Sequence, residues 1–471
     1  MRSWLVRNPI LSASTLAVGI AAWFVFSPRG VRPAASTDTP PVLLRAAVPD
    51  QRLAFQPDSI PDERRVLLEA ANAAWVYVNR EYQPATGLVN SVAGYPYATV
   101  WDIASGLAAL YCANRLGLLE DTEYDRRMRL ALRTLRNMRL FDGAAFNKNY
   151  STRTGAIAGR DDRDRKVAAR GYGWSALDIG RLLVWLRIIR STQPHYAGEI
   201  DAIVERLDFS RLVKDGYIWG ETVGRRGRTQ RYPEGRIPYE QYAAAGFGLW
   251  GHRAEKALSL SENAIPITVM DVPLIADRRG HDHLTSEPFV LAGLELGWTP
   301  EMRDLALRML AVQRERYTRT GQVTVVSEDA LPQAPYYFYY YTVNLHGKWF
   351  AVSAQDPNAR LEGPRWVSSK AAFGWYALVP SDYTRLAVET VAPARHAARG
   401  WSSGVYEGTG QPTRGENVNT AAVILEAALY RTTRRPLVEG SAEGTPLPVR
   451  VPSDSAPAAS TQSDTAVRRP G

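Results

Sequence analysis

The chain has 471 residues, of which 45% are hydrophobic and 10% aromatic, including 13 Trp and 23 Tyr, ample material for a large core. Its net charge of +9 comes from 57 Lys and Arg against 48 Asp and Glu. The arginines are scattered or confined to loops and tails, with no basic helix or nucleic-acid motif, which argues against a nucleic-acid partner. The single cysteine, Cys112, cannot form an internal disulfide and reads as a small core residue of an apolar helix.

At the N-terminus, residues 1–8 carry Arg2 and Arg7 as a basic region. Residues 9–28 follow without a charge, and Pro9–Phe26 is a run of Leu, Ile, Ala, Val, Trp and Phe. That length is about the minimum that crosses a bilayer, so an uncleaved, single-pass signal anchor is expected. The rest of the chain then lies on the periplasmic side of the inner (cytoplasmic) membrane. Arg29 and Arg32 beyond it weaken the charge asymmetry that sets orientation, and Pro33-Ala-Ala-Ser36 is the best alternative cleavage site. Residues 29–60 are rich in Pro, Ala, Ser and Thr and read as a linker, and residues 433–471 as a disordered tail.

Residues 61–432 read as helix pairs. After Asp62 and Glu63, the positions Val66, Leu67, Ala70, Ala74, Trp75 and Val78 recur at helical spacing. Thr99–Leu119 opens on Trp101, Asp102 and Ser105 and is then apolar on nearly every side, the pattern of a helix buried all round. An Arg-rich amphipathic helix follows at Thr122–Met138, then a polar loop containing Arg160-Asp-Asp-Arg-Asp-Arg-Lys166, which lacks calcium-loop spacing. The buried design returns at Gly173–Leu183, Tyr239–Trp250, Ser286–Leu296, Ser368–Leu378 and Asn417–Tyr430, and Pro288 takes a favoured first-turn position. Amphipathic partners are expected near 196–212, 254–261, 300–316 and 381–396. Asp215–Arg236 reads as a hairpin insertion and Gly321–Pro364 as a longer β-prone one carrying Tyr336-Tyr-Phe-Tyr-Tyr-Tyr341. Six such pairs predict an all-α fold, an α/α six-hairpin toroid with inserted β-hairpin loops, its inner-helix N-termini lining one mouth. An α-solenoid is the alternative, but its repeats should be more uniform.

Glycoside hydrolysis needs two carboxyl groups, one protonated to assist the leaving oxygen and one ionised as base or nucleophile. The inner-helix starts offer Asp102, Asp178, Glu240 and Glu287, and the insertions add Glu221, Glu234, Glu328, Asp329, Glu407 and Glu416. The expected acid/base pair is Asp102 with Glu240. Asp178 serves as second carboxylate or as an anchor for sugar hydroxyls, and Arg181, three residues on and on the same face, keeps it ionised. Trp101, Trp174 and Tyr239 are candidate stacking platforms, with Ser105 and Tyr242 as further sugar contacts. The plainer alternative is that each acid only caps its helix and offsets its dipole. Four acids in equivalent positions argue for more.

Three motifs, Tyr97-Ala-Thr-Val-Trp-Asp-Ile-Ala-Ser105, Gly173-Trp-Ser-Ala-Leu-Asp-Ile-Gly-Arg-Leu182 and Tyr239-Glu-Gln-Tyr242, together resemble a bacterial family catalogued as domain of unknown function 3131. The resemblance spans roughly residues 62 to 431. That family is similar to toroidal glycoside hydrolases of the glucoamylase-like and β-glucanase-like kind, which implies a carbohydrate-active domain at the cell envelope without assigning catalytic residues.

Weaker signals are set aside. Gly400-Trp-Ser-Ser-Gly404 matches G-x-S-x-G but lacks the strand–turn–helix context of a serine hydrolase. His281-Asp-His283 lacks further metal ligands, and no phosphate or dinucleotide loop is present, so neither metal nor cofactor is expected. The expected function is an envelope-anchored hydrolase or transglycosylase acting on a bacterial polysaccharide. A non-catalytic glycan-binding or assembly protein on the same scaffold is the alternative, and a polysaccharide lyase using a Tyr or His base is a third. Oligomeric state is not legible.

Overall fold

The computed structural model describes residue 53 and residues 63–158, 170–224, 227–279, 283–332, 339–344, 347–353, 360–361 and 365–439. The anchor expected over 9–28, nearly all of the linker, the Arg160–Lys166 run and the tail from 440 lie outside these residues. Among the described residues no helix is long and apolar enough to cross a membrane.

The helices are α1 (Glu63–Glu81), α2 (Val100–Arg115), α3 (Asp121–Asn137), α4 (Ala176–Thr192), α5 (Ala197–Val204), α6 (Phe209–Leu212), α7 (Tyr239–Gly248), α8 (Glu255–Leu258), α9 (Glu287–Leu291), α10 (Pro300–Thr320), α11 (Ser369–Leu378), α12 (Asp382–Thr390) and α13 (Val418–Thr433). The six apolar helices of the sequence close a ring: α2 packs on α4, α4 on α7, α7 on α9, α9 on α11, α11 on α13, and α13 back on α2. Outside them α1 lies against α13, α3 against α2, α5 against α3 and α4, and α12 against α11. A helix that is apolar all round can be stable only in this inner position, because no face is left for water.

One outer helix departs from the sequence reading. Residues 254–261 give a single helical turn, α8, and the following Ala264–Val269 and Val272–Asp277 form a hairpin that packs on α10. The alternating β-branched run Ile265-Pro-Ile-Thr-Val269 prefers a pleated surface and ends the helix early. The insertions expected to be β-rich are so: Tyr217–Val223 pairs with Thr229–Pro233, and Tyr339–Asn344 with Trp349–Ser353.

Short strands feed the inner helices. Tyr97–Thr99 pairs with Asn149–Ser151 before α2, Gly173–Trp174 with Glu221 and Thr222 before α4, and Trp366–Ser368 with Gly404–Tyr406 before α11. Thr99, Ser175, Ser368 and Asn417 then cap their helices, each side chain accepting the backbone N–H three residues on. Strand edge and cap together fix where each helix starts, and so where its first polar side chain points.

The ring is tightest between α4 and α7. A Cβ on Gly180 would stand 2.6 Å from the Ala243 Cβ, and one on Gly246 would overlap the Gly180 carbonyl oxygen. We expect Gly246→Ala to lower the unfolding free energy by about 1–3 kcal/mol, read from urea denaturation. An unchanged midpoint would mean that the two helices separate without cost.

Candidate functional site

All six inner helices present their first turn, cap or entry residue to one cavity, lined by Thr99, Trp101 and Asp102 (α2), Leu177 and Asp178 (α4), Tyr239 (α7), Glu287 (α9), Lys370 (α11), and Asn417 and Asn419 (α13), with Glu328, Asp329 and Ala330 from the long insertion. Five carboxyl groups and a single ammonium therefore line one space.

Asp102 acts both as a cap and as part of the cavity wall. The Thr99 N–H and hydroxyl both donate to its Oδ2 at 2.9 Å, and Asn419 Nδ2 donates to Oδ1 at 2.9 Å. Burial raises its pKa, and these donors restrain the rise. Asp178, partly exposed, accepts a hydrogen bond from the Ser175 hydroxyl at 3.0 Å. Burial, then the neighbouring Glu234 charge, pushes its pKa up to about 8, so it carries a proton at neutral pH. Glu234 itself, buried at the N-terminus of α4 where the Ala176 N–H donates to it, rises to about 7 through burial.

On the far side, Lys370 Nζ donates to Glu287 Oε2 at 2.9 Å and lies 3.6 Å from Asp329 Oδ1. The Tyr239 hydroxyl is 3.1 Å from Glu287 Oε2 and 2.8 Å from Glu328 Oε2, and Arg236 reaches the same Glu328 oxygen at 3.1 Å. A phenol has one proton, so Glu287 and Glu328 compete for a single Tyr239 donor, and Arg236 supplies Glu328 with a second. Burial raises the Glu328 pKa well above the usual range despite Arg236, and raises that of Asp329 to about 6. Burial alone would lower the Lys370 pKa, but Glu287, Asp329 and Glu328 outweigh it and keep the ammonium charged. The Trp101 ring, partly exposed, meets the edges of Tyr239 and Tyr242 at centroid distances of 5.7 and 5.8 Å.

Seven residues picked from the sequence meet here: Asp102, Asp178, Glu287, Glu328, Asp329, Trp101 and Tyr239. The others do not. Glu240 is turned away from the cavity: Arg279 holds it at 2.6 Å and also holds Asp277 at 2.6 Å. One residue along a helix rotates the side chain by about 100°, and at the start of α7 that step takes Glu240 from the cavity that Tyr239 faces to Arg279. Burial raises the Glu240 pKa to about 7, but within that closed ion pair. Trp174 is fully buried, its indole N–H on the Trp219 carbonyl at 2.7 Å and its ring between Arg211 and Arg231. Arg181 pairs with Glu295 at 3.2 Å and Glu426 at 3.1 Å rather than with Asp178, since a guanidinium at 0% exposure requires buried carboxylates. Ser105 donates to Asn419 at 2.6 Å, and the Tyr242 hydroxyl donates to Glu295. Neither Ser105 nor Tyr242 lines the cavity, and their bonds tie inner helices together.

Lys370, Asn417 and Asn419 escape the sequence reading, although a polar residue opening an apolar helix is the same signal that marks Asp102. Of His281-Asp-His283, only His283 is described, in a strand paired with Asn344. Among the described residues no group of three or more His, Cys, Asp or Glu is placed to hold a metal ion.

The fold has relatives among solved structures. A candidate glucoamylase of Bacteroides fragilis matches at TM-score 0.57 and 15% identity, over 82% of this chain and 98% of its own. The endo-β-1,2-glucanase of Chitinophaga pinensis, solved with sophorotriose and glucose, matches at 0.60 and 12%, over 80% and 94%. That of Talaromyces funiculosus, solved with sophorose, matches at 0.53 and 11%, over 78% and 84%. At such identities the likeness shows the fold alone, that of the toroidal glycoside hydrolases. No curated protein matches the sequence. The family model described as protein of unknown function (DUF3131) matches residues 69–434, and the chain belongs to that family.

Proposed function

We propose that this domain hydrolyses glycosidic bonds of a glucan, with Asp178 as general acid and Glu287 as the ionised partner. One observation carries the reading. Asp178, hydrogen-bonded to a serine and with its pKa pushed up to about 8, and a lysine-paired Glu287 open onto one cavity, beside an indole that a sugar ring can stack on. Asp102, held by three donors, shapes the wall beside the acid. The β-1,2-glucanases among the fold relatives make β-1,2-glucan the first substrate to try. The uncharged run after Arg7 supports an envelope location, with the domain tethered on the periplasmic side.

The test is oligosaccharide release from β-1,2-glucan and a panel of other glucans. Asp178→Asn and Glu287→Gln should each lower kcat by about 10²–10⁴ with folding intact. Glu240→Gln, whose carboxylate is engaged by Arg279, should retain turnover. Turnover surviving Asp178→Asn would remove the acid assignment. Measurable glycan binding with no release from any glucan would establish a non-catalytic binder.

A further inference from the structure

A second polar cluster, away from the cavity lining, lies buried among the inner helices. Arg181 is 0% exposed, with Nη1 3.2 Å from Glu295 Oε1 and Nη2 donating to Glu426 Oε1 at 3.1 Å. Glu295 also accepts from Trp185 Nε1 at 2.9 Å and from the Tyr242 hydroxyl. It stands where α9 widens into a π turn, Ala292–Leu296, a local unwinding often found at functional sites. Four inner helices and this turn thus meet around one guanidinium: α2 through Trp101, α4 through Arg181 and Trp185, α7 through Tyr242, and α13 through Glu426.

Two carboxyls, those of Glu295 and Glu426, face one arginine; burial, then the Glu295 charge, pushes the Glu426 pKa well above the usual carboxylate range. A desolvated cation fixed in this way needs a further partner, and the guanidinium lies 4.9 Å from the centre of the Trp101 ring. Tyr242, which grips Glu295 with its hydroxyl, also meets Trp101 with its ring. The ring that opens onto the cavity is therefore held from the protein side by groups that never reach the cavity.

We propose that Arg181, clamped by Glu295 and Glu426, is a positioning residue that locks the Trp101 indole in one orientation as the sugar-stacking floor of the site. The proposal rests on the reading of the cavity as a glycan site, but the locking can be measured without substrate. The full chain is labelled with 5-fluorotryptophan, and the Trp101 fluorine resonance is assigned by its absence in Trp101→Phe. Wild type should give one sharp Trp101 line. Arg181→Lys keeps a charge but loses the planar fork, and should shift and broaden that line; an unchanged line overturns the proposal. If Arg181→Lys does not fold, Tyr242→Phe removes one bond of the same clamp and should broaden the line in the same way.

Sophorotriose is then titrated into wild type. A shift of the Trp101 line supports the stacking floor, and binding that leaves the line unmoved overturns it. On β-1,2-glucan, Arg181→Lys should raise KM about tenfold with little change in kcat, and the double variant with Trp101→Ala should be no worse than Trp101→Ala alone. Equal loss of kcat and unchanged KM would make Arg181 a general structural support and overturn the positioning role. If wild type neither binds nor cleaves any glucan, the glycan reading and the stacking role fall together, while the fluorine line still shows whether Arg181 fixes the indole.

Discussion

Lys370→Met is expected to destabilise the protein by about 3–5 kcal/mol, a large part of the total stability of most folded domains. The lysine is 2% exposed and is the ammonium that Glu287 and Asp329, themselves 4% and 2% exposed, share. Removing it leaves those carboxylates buried without that counter-charge, a far larger loss than the worth of the pair itself. Two controls separate this mechanism from simple loss of volume. Glu287→Gln in the same chain should restore part of the loss, and so should lowering the pH toward 5, where Asp329, with its pKa near 6, takes up a proton. Urea denaturation at pH 7 and pH 5 is the measurement. A loss under 1 kcal/mol, or one indifferent to pH, would show that the cluster does not depend on the lysine.

The second large effect is a decline of stability with rising pH. The folded chain holds several carboxyls protonated far above their ordinary values near 4: Asp178 at about 8, Glu234 and Glu240 at about 7, Asp329 at about 6, and Glu328 and Glu426 well raised. Burial is the leading cause in each case. Because the folded state then binds more protons than the unfolded state, the unfolding free energy must fall as pH climbs from about 4.5 to about 8. The contribution of these groups is fully present below the unfolded pKa and lost on passing the folded one. Surface acids such as Glu123, lowered to about 2 by hydrogen bonds from Arg126 and Arg127, work in the opposite sense only at the acid end. Thermal unfolding should show the highest Tm near pH 5 and a steady decline to pH 9. A flat or rising Tm over that interval would mean that the cavity carboxyls are ionised in the folded state.

How much of this is legible in the sequence depends on what a side chain must touch. The inner helices are legible because Thr99–Leu119 and its counterparts are apolar on every side, and only a ring interior can accept that. Asp102, Asp178, Glu287, Trp101 and Tyr239 are legible because each opens such a helix. Glu240 has the same credentials, yet nothing in its spacing says that the helix phase gives the cavity to Tyr239 and leaves Glu240 to Arg279. The Asp178–Arg181 spacing suggests a local ion pair, but the arginine follows two glutamates on other helices, a long-range choice that no spacing encodes. Lys370, Asn417 and Asn419 show the converse: they carry the right signal, but a search confined to carboxylates and aromatic rings passes over them.

The closure of the ring has a consequence for the order in which the molecule is made. Asp102 receives a hydrogen bond from Asn419, 317 positions later, and α1 and α2 both pack against α13, the last helix. A chain emerging from the ribosome therefore cannot close the ring until α13 has followed. A molecule cut short before Asn417 would have an open wall on α2 and an Asp102 lacking one of its donors. The cavity thus becomes complete only when the start of α13 has arrived with Asn417 and Asn419.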